Sequence, residues 1–78
     1  MNISIIGTGI FSISLALVAE SNHHKVTMWS ENKELVSHYL KKHDLKPITD
    51  AFIPKTIKVT NDIKESLESA DLIILATS

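Results

Sequence analysis

The chain has only two glycines, and both fall in one stretch, Asn2-Ile-Ser-Ile-Ile-Gly-Thr-Gly-Ile-Phe-Ser12. The β-branched run Ile3 to Ile6 reads as a strand buried on both faces. The apolar residues from Ile10 to Glu20 read as a helix that follows it with almost no spacer. Gly7 can turn the chain sharply out of the strand without a Cβ penalty, and Gly9 leaves room for a backbone or a phosphate to come close. A helix starting at Ile10 points its unbonded amides, and roughly half a positive charge, at the space above the turn. A pyrophosphate suits that space. The motif is Gly-x-Gly-x-x-Ser, because Ser12 stands where a third glycine would allow close helix to strand packing, so its context has to decide the reading.

That context alternates strand and helix to the end. The first helix is apolar nearly all round and is expected to be largely buried on the sheet. It closes near Ser21-Asn22-His23, where asparagine or histidine takes the left-handed conformation that glycine usually supplies. Lys25 to Trp29 is a second strand, with Ser30 as N-cap of a helix from Glu31 to about His43 whose buried stripe is Leu35, Val36, Tyr39 and Leu40. Asp44 to Lys55 holds both prolines, Pro47 and Pro54, and reads as an irregular connection. Ile57 and Val59 alternate with Lys58 and Thr60, as in a strand at a sheet edge. Asp62 and Glu65 open a third helix with Ile63, Leu67 and Ala70 at helical spacing. Leu72 to Ala76 has no polar face and is expected to be a central strand.

The order β-α-β-α-β-α-β, with right-handed crossovers, leaves one economical arrangement: an α/β, Rossmann-type doubly wound parallel sheet, partial, with strand order 3-2-1-4. Residues 1–78 are then the N-terminal part of a dinucleotide-binding domain. Its crevice lies where the order reverses, between the first and fourth strands, with Gly7 and Thr77 meeting there. The contacts expected for the cofactor are Gly7, Thr8, Gly9, Ile10, Phe11, Ser12, Ser30 and Glu31. Glu31 lies nineteen residues after Ser12, the distance at which such folds place the carboxylate that accepts hydrogen bonds from the adenine ribose; the plainer role is support of a helix N-terminus, and both can hold. Trp29 reads as a packing residue beside the adenine. The Ser12 hydroxyl is available to a backbone carbonyl or to a phosphate.

Composition narrows the alternatives. Eight lysines against nine carboxylates, with no arginine and no basic cluster longer than Lys41-Lys42, give a net charge of −1 and disfavour nucleic acid as a partner. Without cysteine there is no disulfide and no thiolate metal site, and the four histidines lack metal-ligand spacing. No apolar run approaches the length of a membrane span, and the start of the chain lacks the basic region of a signal peptide. The expected setting is the cytoplasm.

Taken together, Ile5-Ile-Gly-Thr-Gly-Ile-Phe11, Leu15-Ala-Leu-Val-Ala19, Val26-Thr-Met-Trp29, Ile57-Lys-Val-Thr-Asn-Asp62 and Ala70-Asp-Leu-Ile-Ile-Leu-Ala76 resemble the N-terminal part of the bacterial NAD(P)-dependent glycerol-3-phosphate dehydrogenases, over all 78 residues. The resemblance implies an enzyme that interconverts sn-glycerol 3-phosphate and dihydroxyacetone phosphate by hydride transfer, for phospholipid synthesis. It implies cofactor contacts at Ile10, Phe11 and the position of Glu31, NAD as cofactor with NADP as the alternative, and no catalytic residue in this chain. The family's catalytic lysine and helical substrate domain would lie beyond Ser78, and a homodimer of the full-length enzyme is compatible with it. The chain departs from the family's pattern at Ser12, at His23 in place of a turn glycine, and at Ile48-Thr49-Asp50 in place of a Leu-Pro-Gly element. Made alone, residues 1–78 are expected to be marginally stable and to self-associate through the edge left at Leu72 to Ala76. The competing readings are another β-hydroxyacid dehydrogenase, a ketopantoate reductase, a nucleotide-sensing module, or a methyltransferase using an adenosyl cofactor. The last usually carries an acidic residue near the position of Ile6.

Overall fold

The computed structural model describes residues 1–76. Thr77, expected to meet Gly7, lies outside the described residues. The elements are β1 (Asn2–Ile6), α1 (Ile10–Ser21), β2 (Lys25–Trp29), α2 (Lys33–Lys42), β3 (Lys58–Thr60), α3 (Ile63–Glu68) and β4 (Leu72–Leu75). All pairings are parallel and the sheet order is β3-β2-β1-β4, as the alternation of elements requires. The register is fastened at the strand starts. The Asn2 amide donates to Asp71 Oδ2, the Asp71 amide returns to the Asn2 carbonyl, and Asn2 Nδ2 donates to the Ser69 carbonyl.

The two faces of the sheet differ in chemistry. On one, Ile3, Ile5, Val26, Met28 and Val59 meet Ile13 and Ala16 of α1 and Leu35, Val36 and Tyr39 of α2 in the single apolar core. On the other, Ser4 and Thr27 face α3, and Ser4 Oγ donates to the Ser66 carbonyl. Ile63 and Leu67 recur at helical spacing and α3 forms, yet both are exposed and Ser66 is its buried residue; a polar sheet face gives apolar side chains little to pack on.

Helix α1 ends as its sequence predicts, with His23 left-handed at φ 68° and the His24 amide bonded back to the Ala19 carbonyl. It is buried only along Ser12, Ile13 and Ala16, with Leu15, Leu17 and Ala19 partly covered, while Ile10, Phe11 and Val18 are open. Helix α2 starts later than expected. Its N-cap is Asn32, whose Oδ1 accepts from the Glu34 and Leu35 amides, and Ser30 sits two residues back, its amide bonded to the Thr60 carbonyl as an extension of the sheet. Leu40, expected in the buried stripe, is exposed. The core at that end of α2 is closed instead by Leu45 and Ile53, which return from the irregular connection after the left-handed turn at His43.

That connection is tied down by two side chains. His38 Nε2 lies 2.6 Å from Asp44 Oδ1, which also accepts from the Lys46 amide, and these two bonds hold the Asp44 carboxyl below the usual carboxylate range. The support they give is present above the pKa of a free aspartate and fades as pH falls through the lowered value. The Tyr39 hydroxyl donates to the Ile57 carbonyl, with the Pro54 carbonyl 3.4 Å away, and its ring meets His43 edge-on at 5.7 Å. Tyr39→Phe should therefore lower stability by about 1–3 kcal/mol, because a buried carbonyl loses its donor. Burial also raises the Tyr39 pKa, so its neutral form is the stable one, and this contribution is intact below the tyrosine value of 10.0 and lost only as pH rises through the raised value. Urea unfolding of the Tyr39→Phe variant checks the first statement; a change under about 0.5 kcal/mol contradicts it.

Strand β4 takes the outer place that the expected order 3-2-1-4 gives it, so among the described residues it forms the open edge expected at Leu72 to Ala76. It pairs only with β1, α3 lies over β2 and β3, and Leu72, Ile73 and Leu75 are exposed.

Candidate functional site

The strand order reverses between β1 and β4, and a cleft of about 690 Å³ opens beside that point at the C-terminal ends of the strands. All eight residues expected to contact a cofactor line it: Gly7, Thr8, Gly9, Ile10, Phe11 and Ser12 from the turn and first helical residues, and Ser30 and Glu31 from the end of β2. Trp29, Asn32 and Ala76 complete the wall. A second cleft, of about 520 Å³, lies at the opposite ends of the strands among Ser4, Lys25, Thr27, Lys58 and Ser66.

Each element arrives in the cleft for a local reason. Gly7 has φ 136°, and its amide donates to the Trp29 carbonyl at 2.8 Å, so the turn stays paired to β2 while the chain leaves the sheet. A Cβ on Gly7 would stand 2.9 Å from the Ala76 carbonyl oxygen and 3.0 Å from Ser12 Oγ. Gly9 is different: it is the N-cap of α1 with φ −73°, which any residue adopts, and a Cβ there would meet nothing within 4 Å. Neither strain nor crowding inside the protein asks for glycine at position 9. Among the described residues the space over Gly9 is therefore open, and a glycine there leaves room for close approach of a phosphate.

The start of α1 is free for such a group. Gly9 makes no side-chain cap, no acidic residue stands in the first turn, and the first intrahelical bond is from the Ile13 amide to the Gly9 carbonyl at 2.9 Å. The amides of residues 10–12 therefore lack an intrahelical partner and carry the positive end of the helix dipole at the edge of the cleft. Among the described residues Glu31 is the one charged residue in the wall, exposed between Ser30 and Asn32 just past the C-terminal end of β2. It is not in the first turn of α2, so its support of that helix is weaker than the sequence suggested. Trp29 is half-buried, with Nε1 donating to the Asn61 carbonyl at 3.0 Å. Its flat side chain borders the Glu31 end. Ser12 is fully buried, and its hydroxyl lies 3.3 Å from the Ala76 carbonyl oxygen. Among the described residues no group of three histidines or carboxylates could hold a metal ion.

Asn32 and Ala76 are the wall residues that sequence reasoning missed. Asn32 could have been found by preferring the cap that leaves Ser30 to the sheet, and Ala76 by taking the switch-point rule to the last residue of β4.

The family described as NAD-dependent glycerol-3-phosphate dehydrogenase N-terminus matches residues 2–78. The chain belongs to this family. Its relatives include the glycerol-3-phosphate dehydrogenase (NAD(P)+) of Bacillus pumilus, 39% identical over 75 residues, and that of Staphylococcus haemolyticus, 38% identical over 78 residues. These matches cover 95% of this chain but 22% and 23% of the relatives, so the chain spans under a quarter of their length. The crystal structure of glycerol-3-phosphate dehydrogenase from Coxiella burnetii superposes with a TM-score of 0.88 at 29% identity, covering 95% of this chain and 23% of that one. The Rossmann-type reading and the family resemblance both stand.

Proposed function

We propose that this chain is the cofactor-binding N-terminal part of a glycerol-3-phosphate dehydrogenase, holding NAD(H) while the reaction with glycerol 3-phosphate is completed by residues outside it. The observation that carries the reading is Gly9, a glycine whose Cβ position is open among the described residues, at the mouth of a helix whose first amides are uncapped. In this reading the pyrophosphate lies on the amides of Ile10, Phe11 and Ser12, the adenine ribose reaches Glu31, and the exposed side chains of Ile10 and Phe11 border the cofactor. When bound, the cofactor supplies or accepts a hydride at C2 of the three-carbon phosphate. The cytoplasm goes with a water-borne cofactor and substrate, and a homodimer of the full-length enzyme is compatible with the open face of α1. In the natural full-length protein, NADH oxidation should depend on dihydroxyacetone phosphate. NADH oxidation that ignores this substrate and follows ketopantoate or another 2-keto acid overturns the substrate assignment in favour of the sister dehydrogenases.

The same assay tests the choice of cofactor. Glu31 faces the ribose end, and the chain has no arginine to receive a 2′-phosphate. Two like unit charges about 4 Å apart repel by about 4 kcal/mol at an effective dielectric near 20. Exposure and salt reduce this to roughly 1–2 kcal/mol, so kcat/KM should favour NADH by about tenfold or more. A tenfold preference for NADPH would instead give the phosphate to Lys33 or to a cation outside this chain.

A further inference from the structure

Three groups meet at one point beneath the cleft: the Cα of Gly7, the hydroxyl of Ser12 and the carbonyl of Ala76. The Ala76 peptide is held on both sides, since its amide donates to the Ile6 carbonyl at 3.0 Å while its carbonyl oxygen lies 3.3 Å from Ser12 Oγ. On the opposite flank, the glycine turn is held by the Gly7 amide on the Trp29 carbonyl. Gly7 is thus tied to β2, while Ala76, just past β4, is tied to the last residue of β1 and to Ser12 of α1. One of the Ala76 ties is a side chain that a third glycine would not provide.

We infer that Ser12 is a positioning residue of the cofactor cleft: its buried hydroxyl, donating to the Ala76 carbonyl, ties the end of β4 to the glycine turn and fixes the gap on the side away from Glu31. The Ser12 hydroxyl is committed to the Ala76 carbonyl oxygen rather than to the cleft. It acts on the cofactor through Ala76, which lines the cleft. The bond also holds the Ala76 carbonyl oxygen beside Gly7, where a built Cβ would stand 2.9 Å from it. Where the third glycine works by letting helix and strand approach, Ser12 fixes their separation with a hydrogen bond.

This inference rests on the dinucleotide reading, and the experiment separates the two. The natural full-length protein and its Ser12→Ala, Ser12→Cys and Ser12→Gly variants are titrated calorimetrically with NADH and with AMP, and the exchange rate of the Ala76 amide is followed by NMR. AMP covers only the Glu31 end, whereas NADH must cross to the Ala76 side. Ser12→Ala and Ser12→Gly should raise the Kd for NADH by about 3- to 10-fold, the range of one hydrogen bond lost by a buried carbonyl. The Kd for AMP should stay within about twofold, and the Ala76 amide should exchange faster in both variants. Ser12→Cys, of similar size with a weak donor, should fall between them and keeps the test open if the smaller variants fold poorly. Equal weakening of NADH and AMP, or a lowered melting temperature with NADH affinity unchanged, reduces Ser12 to a structural residue and overturns the inference. An unmodified protein that binds neither ligand removes the dinucleotide reading, and the inference with it.

Discussion

Gly7→Ala should lower stability by about 2–5 kcal/mol, a large share of what a small domain has. The backbone contribution comes from φ 136°, which an L side chain rarely adopts. The steric contribution comes from a methyl group placed 2.9 Å from the Ala76 oxygen and 3.1 Å from its carbonyl carbon. Neither neighbour can move cheaply. The Ala76 amide is paired to Ile6, and the Gly7 amide is paired to Trp29, so relief would have to break the sheet on one side or the other. Urea unfolding, followed by the fluorescence of Trp29, the single tryptophan, should show the midpoint falling at unchanged slope. A loss below about 1 kcal/mol would mean that the turn is looser than its hydrogen bonds describe.

Gly9→Ala should do the opposite. The added methyl meets nothing in the protein and the backbone conformation is ordinary, so stability should change by less than about 1 kcal/mol, the scale of an N-cap exchange. Cofactor affinity should fall by about 10- to 100-fold, because the methyl occupies the space through which a phosphate reaches the amides of residues 10–12, and each charge-assisted bond lost is worth about 1.5–3 kcal/mol. The two glycines stand two residues apart in one motif and should separate into a folding residue and a binding residue. Calorimetric titration with NADH and thermal unfolding of the same variant give both numbers. Wild-type affinity in Gly9→Ala would remove the main support for a phosphate at this turn.

What could be read from the chain alone follows the physics of each segment. β2 was legible to the residue because Lys25 to Trp29 is bounded by a turn on one side and a cap cluster on the other. β3 was legible as an edge because Lys58 and Thr60 alternate with buried neighbours. The eight expected cofactor contacts gather in one cleft because turn, helix start and strand end are fixed by topology, which local pattern determines. The failures arise where a local signal had two outlets. Ser30 and Asn32 are both good caps, and only the bond from the Ser30 amide to the Thr60 carbonyl, made across the sheet, decides for Asn32. Leu40 loses its place to Leu45, which reaches the core through a left-handed histidine that no periodicity reveals. Ile63 and Leu67 are at helical spacing, but the sheet face beneath them is polar. The apolar run of β4 marks a strand suited to burial, and the alternation of elements already places it beside β1, where the structure has it.

In the proposed function the cleft at the reversal of strand order receives a dinucleotide with its pyrophosphate on the turn between β1 and α1. An NMR titration of the natural full-length protein with NADH tests it most directly, since every amide named above reports separately. The account predicts the largest shifts at the amides of residues 7–12, with a second group at Trp29 to Asn32 and a third at Ala76, and little change at the other end of the sheet. Shifts concentrated instead on Lys25, Lys58, Ser66 and Ser69, around the second cleft, would contradict it.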